Sequence, residues 1–306
     1  MIRELIVDLA GALREEVLPH LGAHASRAHA GEAEGGDVTF AIDERAEAHM
    51  ERFLAERAPE VAFYSEDRGM VAPAGESSEW VLICDPIDGT RPAMAGLESC
   101  CTSIAAARLD GDPTMGDVVA GVIVELKSGH RFVAERGGGL EPAGNLSPNK
   151  DLGRMLWTYG LRGRPVSALM TVLEELVDTS SVGGASFDLG SATFDMTRIA
   201  TGQLDAYIEP GPRIVEDVPG MLEEFKRIGR GAVLNNTPYD LAAAVICLEE
   251  AGAVVTDAYG QSLADRPLLG SSHEFQMSCV TAANQELHAA ICSALDAGVE
   301  RLLAKR

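Results

Sequence analysis

The segment VLICDPIDGT at 81–90 carries the densest chemistry in the chain. An apolar run ends in Asp85, and Asp88 follows three residues later across a tight turn. Pro86 removes a backbone donor and stiffens the bend, and Gly89 allows a conformation that other residues resist. Two carboxylates held this close repel each other unless a cation lies between them. Oxygen ligands of this kind suit Mg²⁺ or Ca²⁺ and not zinc. The amides of Gly89 and Thr90, near a following helix start, could hold a phosphate. The same spacing also suits an Asx-type turn with exposed acids. The segment FYSEDRG at 63–69 repeats the layout, with an apolar strand, then Glu66 and Asp67, then a glycine. Two strands of one sheet that end in acids at one edge would bring Glu66 to the Asp85 turn.

The elements that must position these acids are legible in outline. Residues 2–22 read as an amphipathic helix, and residues 23–37, rich in Gly, Ala and His, as a mobile loop. A second helix reads from Asp43 to about Arg57, with Ala46, Met50, Phe53 and Leu54 on one face and Pro59 ending it. Short strands at 61–64 and 80–84 lead into the acids, and 102–108, 118–125 and 131–135 read as a meander. The loop-rich stretch 137–152 marks a boundary between residues 1–145 and residues 146–306. Beyond it, strands at 155–159, 205–208 and 254–256 alternate with helices at 165–177, 189–201, 239–251 and 285–305. This mixture implies a layered α/β protein.

Bulk properties exclude several classes. The 306 residues are 46% hydrophobic, enough for a substantial core. The net charge is −22, and no run rich in Lys and Arg occurs, so nucleic-acid polymers are not expected partners. The N-terminal stretch carries charges throughout, unlike a signal peptide, and no apolar run reaches the length of a membrane span. Cysteines 84, 100, 101, 247, 279 and 292 form no C-x-x-C pair and read as reduced thiols of a cytoplasmic protein. His20, His24 and His29 read as a solvated helix end and loop, since no acid or cysteine is arranged with them. The Gly137–Gly139 run reads as a hairpin or loop.

DPIDGT together with the upstream SED resembles the inositol monophosphatase family, a group of Mg²⁺-dependent, lithium-sensitive phosphatases. The stretch PYDLAAAVICLEEAGAVVTDAYG resembles the family's downstream signature, and GGASFDLGSATFDMTRIATGQLDAYIE its substrate-side segment. The resemblance runs from about residue 38 to 285, with the motifs in the family's order. It implies a layered αβαβα sandwich, with an antiparallel sheet in the N-terminal half and a mixed sheet in the C-terminal half. It implies two or three Mg²⁺ ions held by Glu66, Asp85, Asp88, Asp240 and the main-chain carbonyl of Ile87. Thr90, aided by Asp43, would orient the attacking water, with Glu66 contributing to catalysis. Substrate contacts would come from Asp88, Gly89, Thr90, Gly184, Ala185, Glu209 and Asp240. A homodimer is also implied.

The chain departs from the family pattern in four places. Tyr239 replaces the usual Trp before Asp240. Residues 211–237 form an insertion with a helix at VEDVPGMLEEFKRIG, a candidate lid or interface, which also supplies Asp217 as a rival to Asp240. Arg91-Pro92-Ala93 follows Thr90 where inositol-type members carry Thr-Asn-Phe. The loop at 31–37 lacks the family's Lys. The resemblance thus implies a Mg²⁺-dependent phosphomonoesterase acting on a small metabolite, an inositol-1-phosphate-like or sugar or polyol phosphate. Histidinol-phosphate phosphatase, 3′(2′),5′-bisphosphate nucleotidase and fructose-1,6-bisphosphatase activities are the alternatives, as is a catalytically silent metal-dependent binding protein.

Overall fold

The computed structural model describes residues 1–73 and 78–306. Helix α1 (Ile2–Val17) buries Ile6, Leu9, Ala10, Leu13 and Val17, the stripe its three-to-four-residue spacing dictates. Strands β1 (His29–Glu32) and β2 (Val38–Phe40) pair antiparallel ahead of α2 (Ala41–Arg57). The stretch read as a mobile loop is thus a short 3₁₀ turn followed by a hairpin. Asp37 anchors the hairpin by accepting hydrogen bonds from Arg91 at 2.9 and 3.0 Å, a long-range tie that local composition does not reveal.

The first sheet contains β3 (Ala62–Ser65), β4 (Gly69–Val71), β5 (Trp80–Asp88), β6 (Cys101–Arg108), β7 (Val118–Glu125), β8 (Arg131–Glu135) and β9 (Gly139–Glu141). Their order is β4-β3-β5-β6-β7-β8-β9. All pairs are antiparallel except β3 and β5, which run parallel. The expected antiparallel sheet is therefore broken at one pair, and that pair carries both acid motifs. Helix α3 (Thr90–Ala95) lies between β5 and β6.

The second half contributes β10 (Leu156–Tyr159), α4 (Val166–Ser180), β11 (Ala185–Phe187), α5 (Ala192–Ala200) and β12 (Ala206–Glu209). Then follow α6 (Gly211–Asp217), α7 (Met221–Ile228), α8 (Pro238–Glu250), β13 (Val254–Thr256), β14 (Cys279–Ala282) and α9 (Gln285–Ala304). The second sheet has the order β11-β10-β12-β14-β13 and is mixed, as expected: β10 runs parallel to β11 and β12, and β14 antiparallel to β12 and β13. The insertion holds two helices, not one, because Pro219 and the left-handed Gly220 (φ +79°) break it. Met221 and Phe225 of α7 are buried in the core outside the second sheet.

The layers follow from which faces are apolar. Along β5, Leu82 and Cys84 join the core under α1 and α2, while Val81 and Ile83 join the core under α8. Alternation on a strand buried on both faces explains its unbroken apolar sequence. Helix α8 is buried nearly all round, from Leu241 to Leu248, as a helix between two sheets must be. Helices α4 and α9 cover the far side of the second sheet. The result is the αβαβα sandwich. Helix α8 sits directly on β7 at Gly121, where an added Cβ would fall 2.6 Å from Ile246 Cγ2 and 3.1 Å from the Ala243 carbonyl oxygen. Gly121→Ala is therefore expected to overpack the central layer and lower stability by about 1–3 kcal/mol. Urea unfolding checks this, with a lower midpoint and an unchanged slope.

Candidate metal centre

Parallel pairing puts the ends of β3 and β5 at one sheet edge. Ser65 lies opposite Cys84, so Glu66, just past the end of β3, stands beside Asp85 of β5. Against β6 the register slips between Asp85 and Asp88, so three steps on β5 match two on β6. Asp85 Oδ1 accepts the Ile87 amide at 3.0 Å, and the Pro86 carbonyl accepts the Thr102 hydroxyl at 2.9 Å. Gly89 then turns the chain with φ +88°. An added Cβ there would lie 2.6 Å from the Ser99 carbonyl oxygen, so only glycine fits.

Three helices aim their N-termini at this turn. In α8, Asp240 occupies the third position and its Oδ2 accepts the Thr237 amide at 2.6 Å and the Thr237 hydroxyl at 2.8 Å. At α5, Asp88 Oδ2 accepts the Ser191 hydroxyl at 2.8 Å and the Thr193 amide at 2.6 Å. The Thr193 hydroxyl ties the two helices by donating to the Asp240 carbonyl at 2.8 Å. At α2, Asp43 accepts the Phe40 amide through Oδ2 at 2.9 Å and the Thr90 hydroxyl through Oδ1 at 3.0 Å. The Ile87 carbonyl lies 3.2 Å from the same hydroxyl. One carboxylate oxygen from each of Asp85, Asp88 and Asp240 lies within 4.8 Å of the others. Asp217, the rival to Asp240, is instead paired with Arg213 at 3.1 Å and bonded by Tyr259 at 2.8 Å.

The electrostatics match a cation site. Burial, then the charges of Glu66, Asp88 and Asp240, push the Asp85 pKa well above the carboxylate range. Burial, then Asp43 and Asp240, do the same for Glu66. Burial and Asp88 raise Asp240 to about 7, and burial raises Asp43 to about 7. Asp88 is also raised by burial, with its Ser191 and Thr193 hydrogen bonds acting against that. An all-oxygen set of converging acids whose ionisation is disfavoured in the bare protein fits a hard divalent ion such as Mg²⁺.

The structure also shows what sequence reasoning missed. Glu47, one turn beyond Asp43 on α2, is buried and accepts the Ser65 hydroxyl at 2.9 Å and the Asp67 amide at 3.3 Å. It thereby pins both neighbours of Glu66, and the Asp43/Glu47 spacing of four was its signal. Gly184 and Ala185 do not reach the cavity above the acids. Their amides bond the Ser180 and Met155 carbonyls at 3.0 Å, and Gly184 is packed against Met155. Gly190, Ser191 and Ala192 line that cavity instead, with Asp88, Asp195 and Asp240. Ser191 was legible as the N-cap of α5, where it accepts the Phe194 amide at 3.1 Å. Glu209 is fully buried, with its carboxylate held by Arg164 and the Gly211 amide at 2.7 Å. Arg164, not Glu209, forms the cavity wall.

Comparisons with known proteins bear on the family and the fold. The family model for the inositol monophosphatase family matches residues 2–300. The inositol-1-monophosphatase of Mesorhizobium japonicum is 28% identical over 264 residues, covering 83% of this chain and 85% of that protein. The fructose-1,6-bisphosphatase/inositol-1-monophosphatase of Methanothermobacter thermautotrophicus is 28% identical over 272 residues, covering 85% and 84%. Among solved structures, the extragenic suppressor protein suhB of Bartonella henselae shares the fold, with a TM-score of 0.72 at 22% identity over 96% of this chain and 98% of that one. The chain belongs to the inositol monophosphatase family. No helix among the described residues is long and apolar enough to cross a membrane.

The raised carboxyl groups set a direction for stability against pH. Asp43 and Asp240 ionise near 3.8 when unfolded and near 7 when folded. The folded chain therefore keeps protons that the unfolded chain loses, and that stability fades as pH rises through about 7. The Tm of metal-free protein is expected to fall between about pH 5 and pH 8, and the Tm gain on adding Mg²⁺ to grow over the same range. Differential scanning fluorimetry with and without chelator checks both trends.

Proposed function

We propose that this chain is a Mg²⁺-dependent phosphomonoesterase hydrolysing a small phosphorylated metabolite, an inositol-1-phosphate-like or sugar or polyol phosphate. One observation carries the reading: the Asp85, Asp88 and Asp240 carboxylates converge beside a buried hydroxyl–carboxylate pair, Thr90 and Asp43. Asp85, Asp88, Asp240, Glu66 and the Ile87 carbonyl would hold two or three Mg²⁺ ions. When bound, Mg²⁺ neutralises phosphoryl oxygens and lowers the pKa of a water.

The chain's own groups do the positioning. Thr90 donates its only hydroxyl proton to Asp43, which leaves its lone pairs to accept from the attacking water. Asp43, raised to about 7, can take up that water's proton through Thr90 near neutral pH. Gly89 and Thr90 open α3, where backbone amides meet phosphate oxygens. The Ser191 hydroxyl and Thr193 amide hold Asp88 in one orientation as charge moves in the substrate. Thr237 does the same for Asp240. Fixed dipoles of this kind need no reorganisation during reaction. Family resemblance adds lithium sensitivity and a homodimer, and the unpaired thiols, five of the six buried, suit a cytoplasmic setting.

Release of phosphate from a panel of inositol, sugar, histidinol and nucleotide phosphates, with and without Mg²⁺, tests the reading. Mg²⁺-dependent release is the expected result. A Mg²⁺-induced Tm gain with no release from any ester would favour the metal-dependent binding protein instead. Asp88→Asn is expected to abolish measurable turnover while the chain stays folded, and wild-type kinetics from that variant would refute the assignment. Asp43→Asn is expected to lower kcat by about 10²–10⁴-fold with little change in KM, as loss of a proton acceptor does.

A further inference from the structure

We infer that the preferred substrate carries a second anionic group, bound in a cleft beside the metal centre and read by Arg230, Arg91 and Arg162. The inference rests on the phosphatase reading and narrows its substrate class. Arg162 lines the cavity over Asp88 and Asp240, the recess beside Glu66, and a larger cleft of about 440 Å³. A phosphate ester seated on the acids therefore has this cleft within reach of its remaining atoms. The β1–β2 hairpin, Arg91 at the start of α3, the loop carrying Arg162, and the end of α7 form the cleft walls.

The charge of the cleft runs against the rest of the molecule. The chain bears −22, yet three arginines gather here against Asp37 and Glu32. Arg91 grips Asp37 with two hydrogen bonds, and Arg162 lies 3.0 Å from the same carboxylate. Two guanidinium groups thus share one anion, leaving surplus positive charge. Their side chains stay 35% and 48% exposed. Arg230 has no carboxylate within 4.0 Å among the described residues, is exposed, and lines the same cleft. Its backbone adopts φ +57°, a left-handed conformation that favours glycine, and it stands between Gly229 and Gly231. Ile228, 38% exposed beside it, offers apolar contact to a carbon skeleton. A guanidinium is the group best shaped for two-pronged recognition of phosphate or carboxylate.

Steady-state kinetics on the Mg²⁺-loaded full chain test this with two matched pairs. These are glucose 1,6-bisphosphate against glucose 1-phosphate, and adenosine 3′,5′-bisphosphate against adenosine 3′-monophosphate. At least one bisphosphate is expected to exceed its partner in kcat/KM by about tenfold or more, the worth of one charge-assisted hydrogen bond. Arg230→Gly, which keeps the left-handed backbone, is expected to reduce that preference to within about twofold and to leave the monophosphate rates unchanged. Arg230→Lys is expected to retain part of the preference. Equal use of both members of each pair, or a preference that survives Arg230→Gly, would overturn the inference. If no ester is hydrolysed, the phosphatase reading fails, and calorimetric binding of the same pairs with Mg²⁺ decides the cleft separately. Tighter, Arg230-dependent binding of a bisphosphate would support it, and equal binding would overturn it.

Discussion

Repulsion between acids forced into one small space is the constraint on which this molecule is built. Asp85, Asp88 and Asp240 bring oxygens within 4.8 Å of one another, and Glu66 and Asp43 add their charges from alongside. Water would screen such a set, but burial withholds much of that screening. In the bare protein the acids can relieve the strain by keeping protons. A divalent ion relieves it better, because it replaces the protons and retains every negative charge as a ligand.

The fold resists that repulsion with rigid elements. The single parallel pair in the first sheet, β3 beside β5, fixes Glu66 next to Asp85. The remaining acids lie against helix N-termini, where dipoles and free amides favour negative charge. Asp43, Asp88 and Asp240 all accept backbone amides at such ends, from Phe40, Thr193 and Thr237. Helices α5 and α8 lie between the sheets, so the packing of the central layer sets the distance from Asp88 to Asp240. Glu47 adds a further restraint by holding the turn around Glu66 from behind.

Much of this was legible in the sequence, for identifiable reasons. The Asp85 turn announces itself because an apolar strand, a proline, two acids and a glycine leave few backbone choices. Asp240 was separable from Asp217 because only Asp240 is followed by the helix, Glu-Ala-Gly and strand layout of the family the sequence resembles. Short-range patterns fail where long-range contacts decide. The β1–β2 hairpin is composed like a loop, and its order comes from ion pairs to Arg91 and Arg162, distant in sequence. The resemblance implies Glu209 as a substrate contact, and sequence gives no sign that Arg164 pairs with its buried carboxylate. Gly184 marks close packing on Met155, which sequence alone cannot separate from close approach to a substrate. The parallel β3–β5 pair of the first sheet was the essential topological detail, and only the general convergence of two acid-tipped strands foretold it.

The insertion after β12 gives the chain its individual character. Its helix α7 is seated on the core by Met221 and Phe225, and the residues that follow close one side of the arginine-lined cleft. The acid-bearing edge and the cleft thus share Arg162 while coming from different elements, so chemistry and selectivity could change separately. The central claim concerns the ion. Anomalous diffraction from crystals of the wild-type chain grown with Mn²⁺, a scatterer that accepts the same oxygen ligands, tests it most directly. The expected result is strong anomalous density in direct contact with the carboxylates of Asp85, Asp88 and Asp240 and extending to Glu66. Density confined to other surface acids, or none at the β5 turn, would contradict it.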